Sequence, residues 1–247
     1  TRLREHSDTI PKPLVNVGHR PILWHLMRYY AHFGHKDFVL CLGYRGDLIR
    51  EYFLNYNECM SNDFVLADGG KKVELLTRDL DDWRITFVDT GLQSNIGQRL
   101  QRARKYLGTE EMFLANYADG LSDLPLDQHV ADFQRRGVTA SFVAVPPAQS
   151  FHGVQSDDKG IVTGFGPMRD SEFSINAGFF CLRRDIFDYM EEGDELVEKP
   201  FQRLIEKRKL AVFRYQGFWQ SMDTFKDKLT FDSMDGRGHC PWMVWKR

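Results

Sequence analysis

The chain has 247 residues, of which 42% are apolar and 28% are charged, and its net charge at pH 7 is −2. This composition is typical of a globular protein, and the length suffices for one large domain with a substantial core. The charge balance shows no basic excess, which argues against a nucleic-acid partner, and no apolar run approaches the ~20 residues of a membrane span.

The first part of the chain alternates between helical and strand patterns. Pro11 and Pro13 present Lys12 from a stiff, non-helical segment. Pro21 opens a stretch whose apolar residues recur at helical spacing. Residues 38–42 form a continuous apolar run, as expected for a strand buried on both faces, and a second helical pattern follows. Helices and strands at this spacing indicate βα units and a parallel sheet.

The next region contains a hairpin signal and a polar loop. Two short strand-like runs flank Asp68-Gly69-Gly70. Residues 84–88 predict another strand, and the loop at 89–98 leads into a helix with several basic residues. A glycine-containing loop that feeds a helix N-terminus can bind an anion through free N–H groups and the helix dipole. The basic side chains Arg102, Arg104 and Lys105 are more simply interpreted as a solvated face.

Asp119 is the first candidate for a functional residue. The stretch at residues 112–120 is predicted to be a short apolar strand that runs into Asp119 and then Gly120. Ligands of open α/β sheets bind outside the carboxyl ends of the strands, where a carboxylate can reach a metal ion and a glycine permits close approach of the backbone. The alternative is an ordinary Asp-Gly turn.

The second half continues the mixed pattern without repeats or a long linker. The predicted elements are a helix at 126–135, strands at 138–145, near 154 and at 161–165, a strand at 174–182, helices at 185–190 and 200–207, a strand at 211–215 and a final helix after 224. One mixed α/β domain over residues 1–247 accounts for this order.

The cysteines and the terminal sequence predict a cytoplasmic protein. Cys41, Cys59, Cys181 and Cys240 are scattered and lack metal-ligand spacing. Cys41 and Cys181 lie in apolar strands, so we expect core thiols. No signal peptide is visible, and a reduced, cytoplasmic protein is the expectation.

An ordered set of segments resembles the sugar-1-phosphate nucleotidylyltransferases over nearly the whole chain. In chain order the segments are Thr1-Arg2-Leu3 with Thr9-Ile10-Pro11-Lys12-Pro13, Pro21-Ile22-Leu23-Trp24-His25, Val88-Asp89-Thr90-Gly91 with Ser94, Gly97, Arg99 and Leu100, Tyr117-Ala118-Asp119-Gly120, Asn176-Ala177-Gly178-Phe179-Phe180, and Gly217-Phe218-Trp219-Gln220-Ser221-Met222-Asp223-Thr224. The segment that begins at Val88 is similar to the glucose-1-phosphate cytidylyltransferase branch in particular. The resemblance implies a Rossmann-like, mostly parallel sheet flanked by helices. It also implies that a first strand and a Gly-rich loop precede Thr1.

The resemblance further implies an activity, a metal ion and a set of site residues. The activity is Mg²⁺-dependent transfer of a cytidylyl group from CTP to a sugar 1-phosphate such as glucose 1-phosphate. The implied catalytic residues are Arg2, Lys12 and Asp119, and the implied Mg²⁺ ligands are Asp119 and Asp223. The implied nucleotide-binding residues are Thr1, Arg2, Lys12, Thr90, Gly91, Arg99 and Tyr117. The implied acceptor-binding residues are Asn176, Gly178 and Arg169.

The acceptor half departs from the family pattern. Where the family usually has Glu-Lys-Pro, this chain has the segment Gly164-Phe165-Gly166-Pro167-Met168-Arg169, so Arg169 or Arg184 would have to substitute. The family's Asn-Gly-Gly is here Asn176-Ala177-Gly178. One hypothesis is therefore an acceptor other than glucose 1-phosphate, either phosphorylated or a phosphonate.

Three alternatives and several structural interpretations remain open. The base could be that of UTP or dTTP, and a protein of another class could bind nucleotide or sugar phosphate without catalysis. Retention of Lys12 with both aspartates argues against the non-catalytic class, since sensing needs no paired metal carboxylates. We expect His25, His32 and His35 to be surface or packing residues, and Trp219, Trp242 and Trp245 with Phe218 to form core or subunit contacts. The family often forms oligomers, and a homo-oligomer is expected.

Overall fold

The computed structural model describes residues 10–147, 152–168 and 173–246. Its α-helices are α1 (Ile22–His32), α2 (Gly46–Leu54), α3 (Ile96–Ala103), α4 (Leu126–Arg136), α5 (Lys199–Glu206) and α6 (Phe225–Gly236). None of these helices combines the length and the apolar character needed to cross a membrane. The helices begin and end close to the sequence-based predictions.

Short strands connect and flank the helices. They are β1 (Asn16–Val17), β2 (Arg20–Pro21), β3 (Asp37–Leu42), β4 (Phe64–Ala67), β5 (Lys72–Leu75), β6 (Arg84–Asp89), β7 (Met112–Ala115), β8 (Gly120–Ser122), β9 (Ala140–Val145), β10 (His152–Ser156), β11 (Val162–Pro167), β12 (Ile175–Asn176), β13 (Phe180–Arg183), β14 (Leu210–Arg214) and β15 (Trp219–Ser221). The predicted hairpin around Asp68 is confirmed as the β4–β5 pair.

Helix boundaries follow local sequence signals. Pro21 precedes α1 in an extended conformation, which its ring favours. Capping boxes begin α3 at Asn95 and α6 at Thr224, where side chain and backbone satisfy each other's first N–H groups. Gly137 ends α4 in the left-handed conformation.

The sheet is mixed. Strands β12, β9, β13 and β7 lie side by side in that order, and β14 also pairs with β9. The pairs β3–β6 and β9–β14 are parallel, whereas the other described pairs are antiparallel. The parallel share of the described pairings is thus smaller than the family resemblance implies. A continuous apolar run indicates a buried strand but carries no information about its direction.

The strand predicted at residues 174–182 is interrupted. The structure divides it into β12 and β13, separated by residues 177–179. Gly178 and Phe179 both have positive φ there, 77° and 49°. A strand cannot continue through two left-handed residues, so the chain makes a sharp turn at this point. We call residues 177–179 the left-handed turn.

Helix α1 lies at the centre of the largest core cluster. Its residues Ile22, Leu26 and Tyr29 are buried with Phe179 and Trp242. Trp242 is fully buried, so the aromatic C-terminal segment docks on the fold itself. The core therefore joins the first described helix to the end of the chain.

Two buried histidines make folding stability depend on pH. Nε2 of His25 lies 2.9 Å from the Val17 carbonyl oxygen, and its Nδ1 accepts a hydrogen bond from the Trp242 indole. These partners fit a neutral ring. His129 is buried beside Ser141. Burial lowers the pKa of each histidine to about 4.

We expect the free energy of unfolding to fall as the pH is lowered from 6.5 towards 4. Over that interval the unfolded chain binds protons that the folded chain excludes, and each histidine costs about 1.4 kcal/mol per pH unit. Urea titrations at pH 7 and pH 5 measure the difference. His129→Gln should flatten the dependence, whereas His32→Gln, at an exposed position, should leave it unchanged. Equal flattening by both variants would contradict the assignment.

Candidate active site

Lys12 joins two aspartates that are far apart in sequence. Its Nζ lies 3.0 Å from Oδ2 of Asp119 and 2.8 Å from Oδ1 of Asp223. The aspartates are 107 and 211 residues away from the lysine along the chain. The structure thus brings together the three residues for which the sequence predicts catalytic and metal-binding roles.

A two-stranded ladder fixes the separation of the carboxylates. Strand β8 begins directly after Asp119 and pairs with β15, which ends two residues before Asp223, so that Gly120 lies opposite Ser221. The Met222 amide donates to the Asp119 carbonyl oxygen at 2.8 Å. The Ser221 hydroxyl donates to Asp223 Oδ2 at 2.7 Å. Lys12 reaches both carboxylates from a short 3₁₀ turn that follows Pro11.

Lys12 and Asp223 each favour the charged form. Burial disfavours the charge on Lys12, but the hydrogen bonds and charges of the two aspartates outweigh it and raise the pKa of Lys12. Burial likewise opposes the charge on Asp223, yet the Lys12 and Ser221 hydrogen bonds hold the pKa of that carboxyl below its ordinary value. Each partner thereby stabilises the ionised form of the other.

The cluster forms one wall of an open cleft of about 440 Å³. The described residues that line it are Lys12, Pro13, Asn116, Tyr117, Ala118, Asp119, Gly120, Asn176, Ala177, Trp219, Ser221 and Asp223. Lys12 is the one basic residue among them. Two carboxylates against one lysine leave the lining with an excess of negative charge, so an anionic ligand would bind here together with a cation.

The two aspartates fit a divalent cation. Their oxygens already converge on a single positive centre, the Lys12 ammonium. Carboxylate oxygens are the ligands that hard divalent cations prefer, and one or two of them suffice when phosphates or waters complete the coordination. No group of three or more metal-ligating side chains occurs in the described ranges, so the ligand would have to supply further oxygens.

A second wall of the cleft is formed by Asn176 and Ala177, where β12 leads into the left-handed turn. Asn176 donates from Nδ2 to the Tyr117 hydroxyl at 3.2 Å and accepts from the Gly178 amide at 2.9 Å. A Cβ added to Gly178 would lie 2.4 Å from Oδ1 of Asn116 and 3.0 Å from the Tyr117 ring. Position 178 therefore requires glycine for both its conformation and its surroundings.

We expect Gly178→Ala to lower the free energy of unfolding by about 2–4 kcal/mol. The alanine Cβ makes the left-handed conformation unfavourable, and it also crowds the neighbouring side chains. Gly137→Ala is the matched control. Gly137 has a φ of 63° and no atom within 4 Å of an added Cβ, so only the conformational cost of about 1 kcal/mol applies. Urea unfolding measures both. Equal destabilisation of the two variants would show that the crowding at Gly178 is unimportant.

The predicted base-reading residues form a second cluster. Thr90 and Gly91 follow β6, and the Thr90 hydroxyl donates to the Leu42 carbonyl oxygen while accepting from Arg99 Nη1 at 2.7 Å. Arg102 is exposed, as predicted, and it also bonds to the Thr90 carbonyl oxygen and to Ser94. This cluster lies at the carboxyl ends of β3 and β6 and contributes no residue to the lining of the cleft.

The N-terminus of α3 is already occupied by side chains. The Gln98 amide donates to Asn95, and the Ile96 amide donates to the carboxylate of Glu195 at 3.1 Å. An anion would compete with that carboxylate for the same N–H group. The anion that this terminus binds in the structure is thus the Glu195 carboxylate.

The remaining predicted segments either fall outside the described residues or do not line the cleft. Thr1, Arg2 and Arg169 lie outside the residues that the structure describes. The altered segment at 164–168 belongs to the exposed β10–β11 hairpin and its end. None of its residues lines the cleft.

Sequence reasoning missed two residues of the cleft. Trp219 packs against the core as expected, but it also lines the cleft and donates from Nε1 to the Ala177 carbonyl oxygen at 3.0 Å. Asn116 had no assigned role. Asn116 directly precedes the Tyr117-Ala118-Asp119-Gly120 motif, and this position is the only sequence signal that points to it.

Comparison with known proteins supports these observations. Residues 1–231 match the family model described as Nucleotidyl transferase. The chain is 36% identical over 247 residues to the probable glucose-1-phosphate cytidylyltransferase of Bacillus subtilis strain 168, which covers 99% of this chain and 96% of the relative. It is also 36% identical over 250 residues to the glucose-1-phosphate cytidylyltransferase of Salmonella typhi, covering 100% and 96%.

A solved structure supports the fold. The structure of UDP-glucose pyrophosphorylase complexed with UDP-glucose superposes with a TM-score of 0.67 at 13% identity and covers 94% of this chain and 93% of its own. At this identity the likeness concerns the fold alone. The mixed α/β architecture expected from the sequence is confirmed.

Proposed function

Because the chain belongs to the nucleotidyl transferase family, on the branch of the glucose-1-phosphate cytidylyltransferases, we propose that it transfers a cytidylyl group from CTP to a sugar 1-phosphate. The products are a CDP-sugar and pyrophosphate. The observation that carries the proposal is the convergence of Lys12, Asp119 and Asp223 on one point of the cleft.

The reaction needs no protein nucleophile. A phosphate oxygen of the sugar phosphate attacks the α-phosphorus of CTP and forms a new P–O bond, while the bond between the α-phosphorus and the oxygen bridging to the β-phosphorus breaks. Pyrophosphate leaves with the electron pair of that bond. Catalysis of this kind consists mainly of positioning and charge neutralisation, which agrees with a cleft that holds one lysine and two carboxylates.

Asp119 and Asp223 would hold Mg²⁺, which when bound supplies positive charge to the phosphate oxygens. The carboxylates orient that charge, since Ser221 and the β8–β15 ladder fix them in place. Lys12 supplies a second positive charge beside them and is proposed to neutralise charge that develops at the α-phosphate.

The nucleotide and acceptor halves are assigned from the resemblance together with the geometry. Thr90, Gly91 and Arg99 are proposed to contact the base, and Tyr117 the nucleotide. Thr1 and Arg2 are proposed to contact the triphosphate. Asn176, which lines the cleft, and Gly178 are proposed to bind the acceptor, and Arg169 its phosphate.

Glucose 1-phosphate is the first candidate for the acceptor, since the two relatives at 36% identity are named for it. One observation favours a second candidate, a different phosphorylated or phosphonate acceptor. The segment at 164–168 contains no charged side chain and contributes none to the cleft. In that case the sugar phosphate is recognised by groups other than the Glu and Lys that the family usually has at this segment.

The test is pyrophosphate release from CTP, UTP, dTTP and GTP with Mg²⁺ and a panel of acceptors that includes glucose 1-phosphate. Release with CTP and glucose 1-phosphate supports the first candidate. Release with CTP and only another acceptor supports the second. Tight CTP binding without release from any pair would overturn the enzymatic proposal in favour of a binding protein.

A further inference from the structure

Asn116 connects the strand that leads to Asp119 with the left-handed turn, which follows Asn176 in the second wall of the cleft. It directly follows β7, and its Oδ1 accepts two backbone hydrogen bonds, from Tyr117 and from Phe179, each at 2.9 Å. The second bond crosses 63 residues of sequence. One carboxamide oxygen thus joins the metal-binding side of the cleft to the left-handed turn.

The Phe179 amide lies at the most strained position of that turn. Phe179 has a φ of 49°, which a bulky side chain rarely adopts. The residue is nevertheless 1% exposed and packs against Tyr29 and Tyr30. A conformation of this kind persists only when the surroundings determine it, and the hydrogen bond to Asn116 is one such determinant.

Each residue of the left-handed turn is held by a side chain that lines the cleft. The Ala177 carbonyl oxygen accepts from Trp219, the Gly178 amide donates to Asn176 and the Phe179 amide donates to Asn116. Asn116 differs from the other two because it also fixes the residue beside the Ala118-Asp119 pair. Loss of Asn116 would therefore remove the side-chain bond that joins the segment after β7 to the Phe179 amide, whereas the bonds from Trp219 to Ala177 and from Asn176 to Tyr117 would remain.

We propose that Asn116 is a positioning residue that sets the acceptor wall, namely Asn176 and the left-handed turn, at its working distance from Lys12 and the two aspartates. This inference rests on the proposed function for its catalytic consequence. Asn116 acts through the backbone of Phe179 and not through contact with the reacting atoms. Its removal should weaken use of the acceptor more than use of CTP.

Hydrogen exchange tests the structural half of the proposal without any turnover. In Asn116→Ala the Phe179 amide should exchange about tenfold faster or more, because a buried N–H group loses its partner. Asn116→Asp keeps an oxygen at the Oδ1 position and should restore slow exchange. Asn57→Ala is the matched control, since its carboxamide also accepts one backbone amide, from Cys59, far from the cleft. Unchanged exchange at Phe179 in Asn116→Ala would overturn the proposal.

Steady-state kinetics test the catalytic half. For Asn116→Ala we expect KM for the acceptor to rise about tenfold, the size expected from one lost hydrogen bond, with a much smaller change in KM for CTP. Asn116→Asp should recover part of the acceptor KM. Equal increases in both KM values would overturn the proposal. A wild-type chain that turns over no acceptor would instead overturn the proposed function, and the exchange result alone would then decide the role of Asn116.

Discussion

Replacing Lys12 with methionine should lower kcat for pyrophosphate release by about 10²–10³-fold, the usual effect of removing one preorganised electrostatic contact from an active site. Lys12 is the one basic residue among the described residues of the cleft, so no neighbour there can replace its charge. Methionine retains much of the length of the side chain and removes only the ammonium group. Steady-state assays of pyrophosphate release with CTP and the best acceptor measure the change in kcat.

The same variant should bind a divalent cation more tightly in the absence of nucleotide. In the structure the ammonium occupies the position between Asp119 and Asp223, so a cation must displace it. Removal of this competitor should strengthen Mg²⁺ or Mn²⁺ binding by about fivefold, since a partly exposed ion pair is worth about 1 kcal/mol. Calorimetric titration of the free protein measures this effect, which is opposite in direction to the loss of activity.

Lys36→Met is the control for both effects. Lys36 pairs with Asp82 at the amino ends of β3 and β6, away from the cleft, and its loss should change neither kcat nor cation binding. Weaker cation binding by Lys12→Met would contradict the competition between the ammonium and the metal. Unchanged kcat would contradict the role of Lys12 in charge neutralisation.

Replacing Asp119 with asparagine should lower kcat by about 10²-fold or more, even at saturating Mg²⁺. Asparagine is nearly isosteric, so the fold is retained while one of the two proposed ligand carboxylates becomes neutral. The apparent Mg²⁺ requirement should also rise. Pyrophosphate release measured over a range of Mg²⁺ concentrations gives both quantities.

In a double-mutant cycle, the effects of Asp119→Asn and Lys12→Met on kcat should not add, because the two side chains are in contact and form one unit. Asp82→Asn removes a carboxylate from an exposed ion pair and should leave the kinetics unchanged. Wild-type kcat for Asp119→Asn at saturating Mg²⁺ would exclude Asp119 from the metal site.

The residues of the charged cluster could be predicted from sequence because their types carry chemistry. A lysine held between two prolines and an aspartate after an apolar strand are local signals. Their meeting across 107 and 211 residues is a property of the fold, and only the ordered family resemblance indicated it. The amphipathic helices and the hairpin at Asp68 were likewise local and were predicted correctly.

The acceptor wall could not be predicted in the same way. Residues 174–182 have the apolar character of one strand, and only Gly178 within it indicates a close approach of the backbone. The left-handed turn depends on Asn116, Trp219 and the aromatic rings of α1, which come from distant parts of the chain. The parallel pairing of β3 was predicted correctly, whereas the parallel share of the sheet was overestimated, since strand direction is decided by connections and not by local composition.

Trp242 has a consequence for the order in which the chain can fold during synthesis. Its indole donates to His25, 217 residues earlier, and fills the core around α1 together with Phe231. A ribosome releases α1 long before this tryptophan, so α1 must wait with an apolar face uncovered until residue 242 has been synthesised. A stop codon shortly before residue 242 would therefore yield a nascent chain that holds every proposed site residue and is nevertheless a substrate for chaperones.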